Sequence, residues 1–226
     1  MSSPIAETLA RIAISGGLIA VVLRQCRKPS RWVGRAFLAI MNRSHLGVTK
    51  WGLAHVAIAP DATVLDVGCG GGRTVATLAA ATPQGHVDGV DYCAESIAVA
   101  RRTNVDAIAR GCVTITPASV AALPFPDAHF DLVTAVETHY YWPDLAANVR
   151  EIGRVLRPGG HVVVIAETYR GRPFDWPFRA SMALLRAQYL SAPAHAALLR
   201  DNGFVDVTVH TDPAKGWLCA VGRHNR

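Results

Sequence analysis

Short apolar runs alternate with longer amphipathic stretches along the chain from Asp61 onward. The short runs, rich in valine and isoleucine, predict strands, whereas apolar residues that recur every three to four positions predict helices. The predicted strands span 63–67, 86–90, 113–115, 130–136, 161–166, 204–210 and 217–221. The predicted helices span about 72–81, 94–109, 144–156, 182–190 and 194–201. This alternation predicts an α/β fold in which helices cover both faces of a parallel sheet.

Proline and glycine mark the segments between these elements. Two prolines within residues 123–127 predict a loop, and the Arg-Pro-Gly-Gly of residues 157–160 ends the preceding helix. Asp144 directly precedes that helix and is predicted to cap it. The Pro-rich, aromatic residues 172–178 predict an irregular excursion, for which a substrate lid and a surface connector both remain open.

The composition is that of a packed globular domain, since half of the 226 residues are apolar and 18% are charged. Charge is uneven: residues 1–50 carry eight basic side chains and one acid, and the remaining 176 residues carry 15 basic and 16 acidic ones. The net charge of +6 therefore belongs to the N-terminal arm. A nucleic-acid-binding face on the main domain is not expected.

Five scattered cysteines form no Cys-x-x-Cys pair. Neither a disulfide framework nor a zinc site is predicted, and we expect no metal and a cytoplasmic location. The apolar run 12–23 is shorter than the ~20 residues that span a bilayer, and the basic residues after it argue against a cleaved signal peptide.

Two uses compete for the N-terminal arm, which we place at residues 1–55, before a main domain at residues 56–226. The arm is predicted to cover the active site, bringing residues 41–45 and 50–51 near a cofactor or substrate. Alternatively, residues 12–35 combine an apolar run with a basic cluster and resemble a peripheral anchor on anionic lipid.

A glycine-rich turn, Asp66-x-Gly68-x-Gly70-x-Gly72, follows the first predicted strand and precedes a helix. Open α/β sheets bind ligands at this end of their strands, and glycine lets the backbone approach a ligand closely. The spacing does not fit the dinucleotide pattern G-x-G-x-x-G, because the last position falls on Arg73 or Val75. An NAD-dependent oxidoreductase is therefore disfavoured.

An acid, Asp91, closes the second predicted strand about 20 residues after the turn. A carboxylate there accepts hydrogen bonds from both hydroxyls of a ribose. The next residue, Tyr92, is placed to stack on an adenine ring. Turn, helix and acid together predict an adenosine-containing ligand.

At these motifs the sequence resembles the class I S-adenosylmethionine-dependent methyltransferases, especially the group that includes the ubiquinone and menaquinone C-methyltransferases. The resemblance rests on four stretches: Val64-Leu-Asp-Val-Gly-Cys-Gly-Gly-Gly72, Gly89-Val-Asp91, Leu123-Pro-Phe-Pro-Asp-Ala-His-Phe-Asp-Leu-Val133 and Glu151-Ile-Gly-Arg-Val-Leu-Arg-Pro-Gly-Gly160. It implies a Rossmann-like three-layer sandwich, with a seven-stranded, mostly parallel sheet whose last strand is reversed. It also implies S-adenosylmethionine as the cofactor.

The resemblance carries cofactor roles onto this chain. The turn, with Asp66, Gly68, Cys69, Gly70 and Gly72, would lie against the methionine part, and Asp91 would hold the ribose. Family members often place an acid at the adenine amino group, where this chain has Ser119 and Val120. Ser119 is a weaker partner there, which bears on affinity for the cofactor.

Residues 137–142, Glu-Thr-His-Tyr-Tyr-Trp, follow the fourth strand and border the reactive end of the cofactor in this fold. His139 is the predicted base or substrate hydrogen-bond donor, since an imidazole changes charge near neutral pH. Glu137 is predicted to bind the amino group of the cofactor or to orient His139. Tyr140 and its aromatic neighbours are predicted to line the acceptor pocket, with packing against the neighbouring helix as the alternative.

The expected function is methyl transfer to a small molecule by in-line displacement. The alternative is a non-catalytic protein that keeps the fold and the cofactor site. The sequence leaves open the acceptor, the acceptor atom, the use of a base and the oligomeric state.

Overall fold

The computed structural model describes residues 45–225, apart from the side chain of Pro177. The predictions made for the apolar run and basic cluster of residues 12–35 lie outside the described residues. In the described part of the chain, no helix is long and apolar enough to cross a membrane.

Seven strands form one sheet in the order β3-β2-β1-β4-β5-β7-β6. They are β1 (Thr63–Val67), β2 (His86–Asp91), β3 (Val113–Pro117), β4 (Phe130–Val136), β5 (Leu156–Ala166), β6 (Phe204–Asp212) and β7 (Trp217–His224). Strands β1 to β5 pair in parallel, whereas β7 runs antiparallel to both of its neighbours. The predicted α/β sheet with a reversed last strand is confirmed.

The helices of the described chain cover both faces of the sheet. They are α1 (Leu46–Leu53), α2 (Arg73–Ala81), α3 (Ala94–Thr103), α4 (Val105–Ala109), α5 (Leu145–Val155), α6 (Trp176–Leu184) and α7 (Ala192–Arg200), with a 3₁₀ turn at His139–Tyr141. Apolar side chains of α1, α2 and α3 form the core on one face, and those of α5 and α7 form it on the other. Alternate residues of β1 enter the two cores, because successive side chains of a strand point to opposite faces.

Strands β1, β2 and β3 follow one another toward one edge of the sheet, and β4 then pairs with the other side of β1. This reversal leaves a crevice at the carboxyl ends of β1 and β4, where open α/β sheets bind their ligands. The glycine-rich turn and residues 137–142 both lie at this edge, because they follow β1 and β4 directly.

Three elements differ from the sequence prediction. The single helix predicted for residues 94–109 is broken at Asn104 into α3 and α4. The turn at residues 157–160 is a bulge inside β5, since Phe130 pairs with Leu156 while Leu132 pairs with His161. Helix α6 begins at Trp176, inside the segment predicted to be irregular, and ends at Leu184, so most of the helix predicted for residues 182–190 is not helical. The predicted cap is present: Asp144 accepts a hydrogen bond from the Ala147 amide.

Candidate functional site

The glycine-rich turn is tied to the end of the neighbouring strand. The amides of Gly68 and Cys69 both donate to the carbonyl of Val90, at 2.8 and 2.9 Å. Gly68, Gly70 and Gly72 have φ angles of 71°, 51° and 79°, in the left-handed region that favours glycine. A Cβ on Gly68 would also collide with the side chain of Thr138, so this glycine lets the turn after β1 meet the segment after β4.

Asp91 joins this turn to the end of β2. Its Oδ2 accepts a hydrogen bond from the Gly70 amide at 3.0 Å, and its Oδ1 accepts one from the Cys93 amide at 2.8 Å. Asp91 is 8% exposed, and burial raises the pKa of its carboxyl group against the opposing effect of these two bonds. Since an ionised carboxylate oxygen accepts more than one hydrogen bond, both oxygens keep capacity for ribose hydroxyls.

Asp66 lies in β1, just before the glycines of the turn, with 1% of its surface exposed. Thr134, its partner across β1 and β4, donates its hydroxyl to Asp66 Oδ1 at 2.7 Å. Burial raises the pKa of Asp66 to about 7, and the nearby Asp91 adds to the rise. Asp66 thus joins β1 to β4 through its side chain, and its predicted contact with a cofactor stays a prediction.

The expected adenine edge lies at the ends of β2 and β3. Pro117, the last residue of β3, pairs with Asp91, so Ser119 and Val120 follow beside the ribose acid. Tyr92 is 53% exposed and Val120 is buried. The Ser119 hydroxyl accepts a hydrogen bond from the Ala121 amide at 3.2 Å within a tight turn. The structure thus brings these predicted residues to one edge.

Glu137 occupies a strained position directly after β4. Its φ is 57°, unusual for a residue with a side chain, and its amide donates to the carbonyl of Ile165 at 3.0 Å. Its Oε1 accepts hydrogen bonds from the Tyr140 hydroxyl and the Glu167 amide. Burial and the neighbouring Glu167 carboxylate raise the pKa of Glu137 to about 8.

His139 is buried, with 1% of its surface exposed. Its Nε2 lies 3.0 Å from Nε2 of His195, whose Nδ1 lies 2.9 Å from the Ser191 carbonyl. A carbonyl only accepts, so His195 carries its proton on Nδ1, and His139 must donate through Nε2. Burial lowers the pKa of both rings, which holds the pair neutral. The ring of His139 therefore faces α7. Its action as a base stays a prediction.

Tyr140 also points inward and is 3% exposed. Its hydroxyl lies 3.3 Å from both Glu137 Oε1 and the Thr168 carbonyl. Burial raises the pKa of this phenol, with the Glu137 carboxyl adding to the effect. Tyr140 and Trp142 pack in the core on the α5 and α7 face, which is the arrangement that the packing alternative describes.

Sequence reasoning did not identify Asn104 or His195. Asn104 donates from Nδ2 to the carbonyls of Gly72 and Ala100, each at 2.9 Å. It therefore clamps the end of the glycine turn at the break between α3 and α4. A polar residue inside an otherwise helical stretch was the available signal for Asn104, and His195 lay in a predicted helix with nothing to mark it.

The third residue that sequence reasoning missed is Glu167, which follows β5 as Glu137 follows β4. His45 Nε2 lies 3.5 Å from Glu167 Oε2, and residues 41–44, predicted to lie near the site with it, are outside the described residues. Burial lowers the pKa of His45, and the Glu167 carboxylate opposes this. Donor atoms of these two residues and Glu137 lie within 4.8 Å of one another among the described residues. Carboxylates often cluster without an ion, and we assign no metal here.

The known proteins that this chain resembles include methyltransferases. A family model described as a methyltransferase domain matches residues 65–164. The chain is 35% identical over 149 residues to O-methyltransferase cnsE of Penicillium expansum. That alignment covers 64% of this chain and 53% of the relative. It is 31% identical over 161 residues to a 2-methyl-6-phytyl-1,4-hydroquinone methyltransferase of Synechocystis sp., which covers 70% of this chain and 48% of that protein.

A solved structure shares the fold. Human N-acetylserotonin methyltransferase in complex with S-adenosylmethionine aligns with a TM-score of 0.71 at 16% identity, over 93% of this chain and 66% of that one. At this identity the likeness establishes the fold alone. The chain spans about half the length, or less, of the curated relatives it matches.

Proposed function

The chain belongs to the class I S-adenosylmethionine-dependent methyltransferases, and on that premise we propose that it transfers the methyl group of this cofactor to a small-molecule acceptor. The family, the fold and the cofactor predicted from the sequence are confirmed. The aligned region covers only about half of each relative. We therefore argue the activity of this protein from the arrangement of its own residues.

The observation that carries the proposal is the bonding of Asp91 to the glycine turn. A carboxylate fixed by the amides of Gly70 and Cys93 is oriented before any ligand arrives. Such preorganisation limits the ordering cost of binding. We propose that Asp91 holds the ribose, that Tyr92, Ser119 and Val120 border the adenine, and that the turn from Gly68 to Gly72 contacts the methionine part.

When bound, S-adenosylmethionine supplies an electrophilic methyl group on a sulfonium. The cofactor residues cluster over β1, β2 and β3, so the free side of the crevice lies over β4 and β5. We propose that the acceptor binds there, beside Glu137 and Glu167. Glu137 is positioned by Tyr140 and by the Glu167 amide to orient an amino or hydroxyl group.

A hydroxyl acceptor must lose a proton during transfer, which requires a base within hydrogen-bond reach. His139 meets this need if its 3₁₀ turn opens, because its ring is enclosed in the present arrangement. His45 offers a more accessible imidazole on the acceptor side, and Glu167 lies where it can orient the ring. We therefore propose His45 as a proton acceptor, with His139 holding the turn through His195.

The N-terminal arm is proposed to contribute His45 as part of an active-site cover, and the boundary near residue 55 belongs to the same proposal. Relatives named as an O-methyltransferase and as a hydroquinone methyltransferase favour an oxygen atom or a hydroquinone as the acceptor. A cytoplasmic location and peripheral membrane contact through residues 12–35 remain proposals.

Transfer of a labelled methyl group to a panel of quinols, phenols and amines tests the proposal. We expect one class of acceptor to gain label, His45→Gln to slow transfer and Asp106→Asn, on the exposed surface of α4, to leave it unchanged. A protein that binds the cofactor and labels no acceptor would support the non-catalytic alternative.

A further inference from the structure

An aromatic patch, formed by Phe174, Trp176, Phe178 and Leu184, lies on the segment between β5 and α7. These side chains are 85%, 71%, 38% and 60% exposed. Among the described residues, the other exposed large apolar side chains are Tyr92 and Val105, which are separate in sequence. A concentration of exposed apolar surface of this kind marks an interaction site.

The patch is presented outward from a fixed base. At the base, the Arg170 amide donates to the Leu190 carbonyl and the Gln188 amide to the Tyr140 carbonyl, both at 2.8 Å. Helix α6, which carries most of the patch, buries none of its described side chains. Met182 of this helix is half-buried and packs against the core, whereas Trp176 and Leu184 are exposed to solvent.

The segment that carries the patch is basic. Residues 170–190 contain four arginines and a single acid, Asp175. Arg170, Arg179 and Arg186 are exposed. Asp175 Oδ2 accepts a hydrogen bond from the Gly171 amide at 2.8 Å, which ties the one negative charge to the loop. Aromatic and cationic side chains are thus exposed on the same segment, and the Arg172 guanidinium lies over the Phe178 ring, 4.8 Å from its centroid.

We propose that the aromatic patch docks on the surface of an anionic lipid bilayer. Aromatic side chains partition into the interface of a bilayer, and no shaped pocket is needed there. The aromatic anchors of protein–protein interfaces, by contrast, fill pockets in the partner. Exposed arginines gain energy at the negative surface of anionic lipid. The basic N-terminal sequence, with eight basic residues and one acid through Lys50, supplies a second attachment of the same sign.

Co-sedimentation of the full chain with vesicles tests this proposal. One set consists of phosphatidylcholine alone, and the other contains about 30 mol% phosphatidylglycerol. We expect binding to the anionic vesicles and its loss at about 0.5 M salt, where the Debye length is short. The double variant Phe174→Ser/Trp176→Ser should lower the partition coefficient by about tenfold or more. Arg179→Gln/Arg186→Gln should lower it by a similar factor.

Val105→Ser is the matched control, since Val105 is an apolar side chain that is 59% exposed on α4. It should bind as the wild type does. An unchanged urea midpoint for the aromatic double variant shows that it is folded. The proposal is overturned by a wild type that ignores anionic vesicles, by a double variant that binds them equally well, or by a dimer in solution that the aromatic substitutions dissociate.

Discussion

Asp91 shows how one side chain organises the cofactor edge. Each carboxylate oxygen is bonded to a backbone amide, one in the glycine turn and one at the start of α3. This residue was identified from its place at the end of the second strand. Its bond to the Gly70 amide was not predicted, because hydrogen-bond partners 21 positions apart in sequence become visible only when β1 and β2 pair.

Replacing Asp91 by Asn removes the negative charge and one acceptor oxygen while keeping the size of the side chain. We expect the dissociation constant for S-adenosylmethionine to rise by about 10- to 100-fold, since a hydrogen bond to a charged group contributes ~1.5–3 kcal/mol. Isothermal titration measures this change. Asp106→Asn is the control, and equal affinities for the two variants would contradict the role of Asp91.

The raised pKa of Asp66 predicts how the free energy of unfolding depends on pH. Its folded pKa of about 7 lies above the ordinary value of 3.8, so between these values the folded chain holds a proton that the unfolded chain has lost. Asp66 therefore makes the free energy of unfolding fall as pH rises through this window, by at most about 4 kcal/mol.

The variant Asp66→Asn keeps an acceptor for Thr134 and cannot titrate. Its free energy of unfolding, measured by urea denaturation from about pH 4 to 8, should fall less steeply with pH than that of the wild type. Parallel curves for the two proteins would show that Asp66 is already ionised in the folded state.

His139 marks the limit of residue-level prediction. Its position after β4 was correctly located by pattern, and a histidine beside a cofactor is a reasonable candidate base. The direction of its ring depends on His195, 56 positions later, which meets it only because α7 packs on the same face of the sheet.

The elements around the site are held by side chains that reach between them. Asn104 ends α3 and binds the carbonyl of Gly72, so a helix break and the glycine turn stabilise each other. The periodic pattern of residues 94–109 predicted one helix because its apolar spacing continues through the break. The hydrogen bonds from Asn104 to two carbonyls include one to the distant Gly72. Apolar periodicity carries no information about such a tertiary contact.

Replacing Asn104 by Asp places a carboxylate where the amide donated to two carbonyl oxygens. We expect a loss of about 2–3 kcal/mol in the free energy of unfolding and weaker cofactor binding, because buried acceptors would face one another. Thermal and urea denaturation measure the first effect, with Thr103→Ala on exposed α3 surface as control. A variant as stable as this control would show that the clamp contributes little.

Arg154 connects α5 to the loop of residues 123–127. Its guanidinium donates to the carbonyls of Leu123 and Phe125, and to Glu151 and Asp127 at 2.8 and 2.7 Å. Arg154→Met should lower the free energy of unfolding by about 2 kcal/mol, because several groups lose a planar donor at once.

The control for this prediction is Arg157→Met, which removes an exposed arginine paired with Asp131 alone at 2.7 Å. An exposed ion pair contributes about 0–1 kcal/mol, so this variant should be closer to the wild type. Equal losses in urea denaturation would indicate that charge, and not the loop contacts, accounts for the effect of Arg154.

At the scale of the whole molecule, the sheet order decides which residues meet. The reversal between β3 and β4 brings the turns after β1 and β4 together, and adds Glu167 from the end of β5. The strands were predicted closely because buried parallel strands form compact apolar runs. The bulge in β5 and the start of α6 were missed, since glycine and proline usually interrupt regular structure and here lie within it or at its border.

Isothermal titration of the full chain with S-adenosylmethionine, and with NAD as the comparison, tests whether the crevice is a site for this cofactor. We expect one site per chain, a dissociation constant of about 1–100 µM, and no binding of NAD. The absence of binding to S-adenosylmethionine, or tighter binding of NAD, would contradict it.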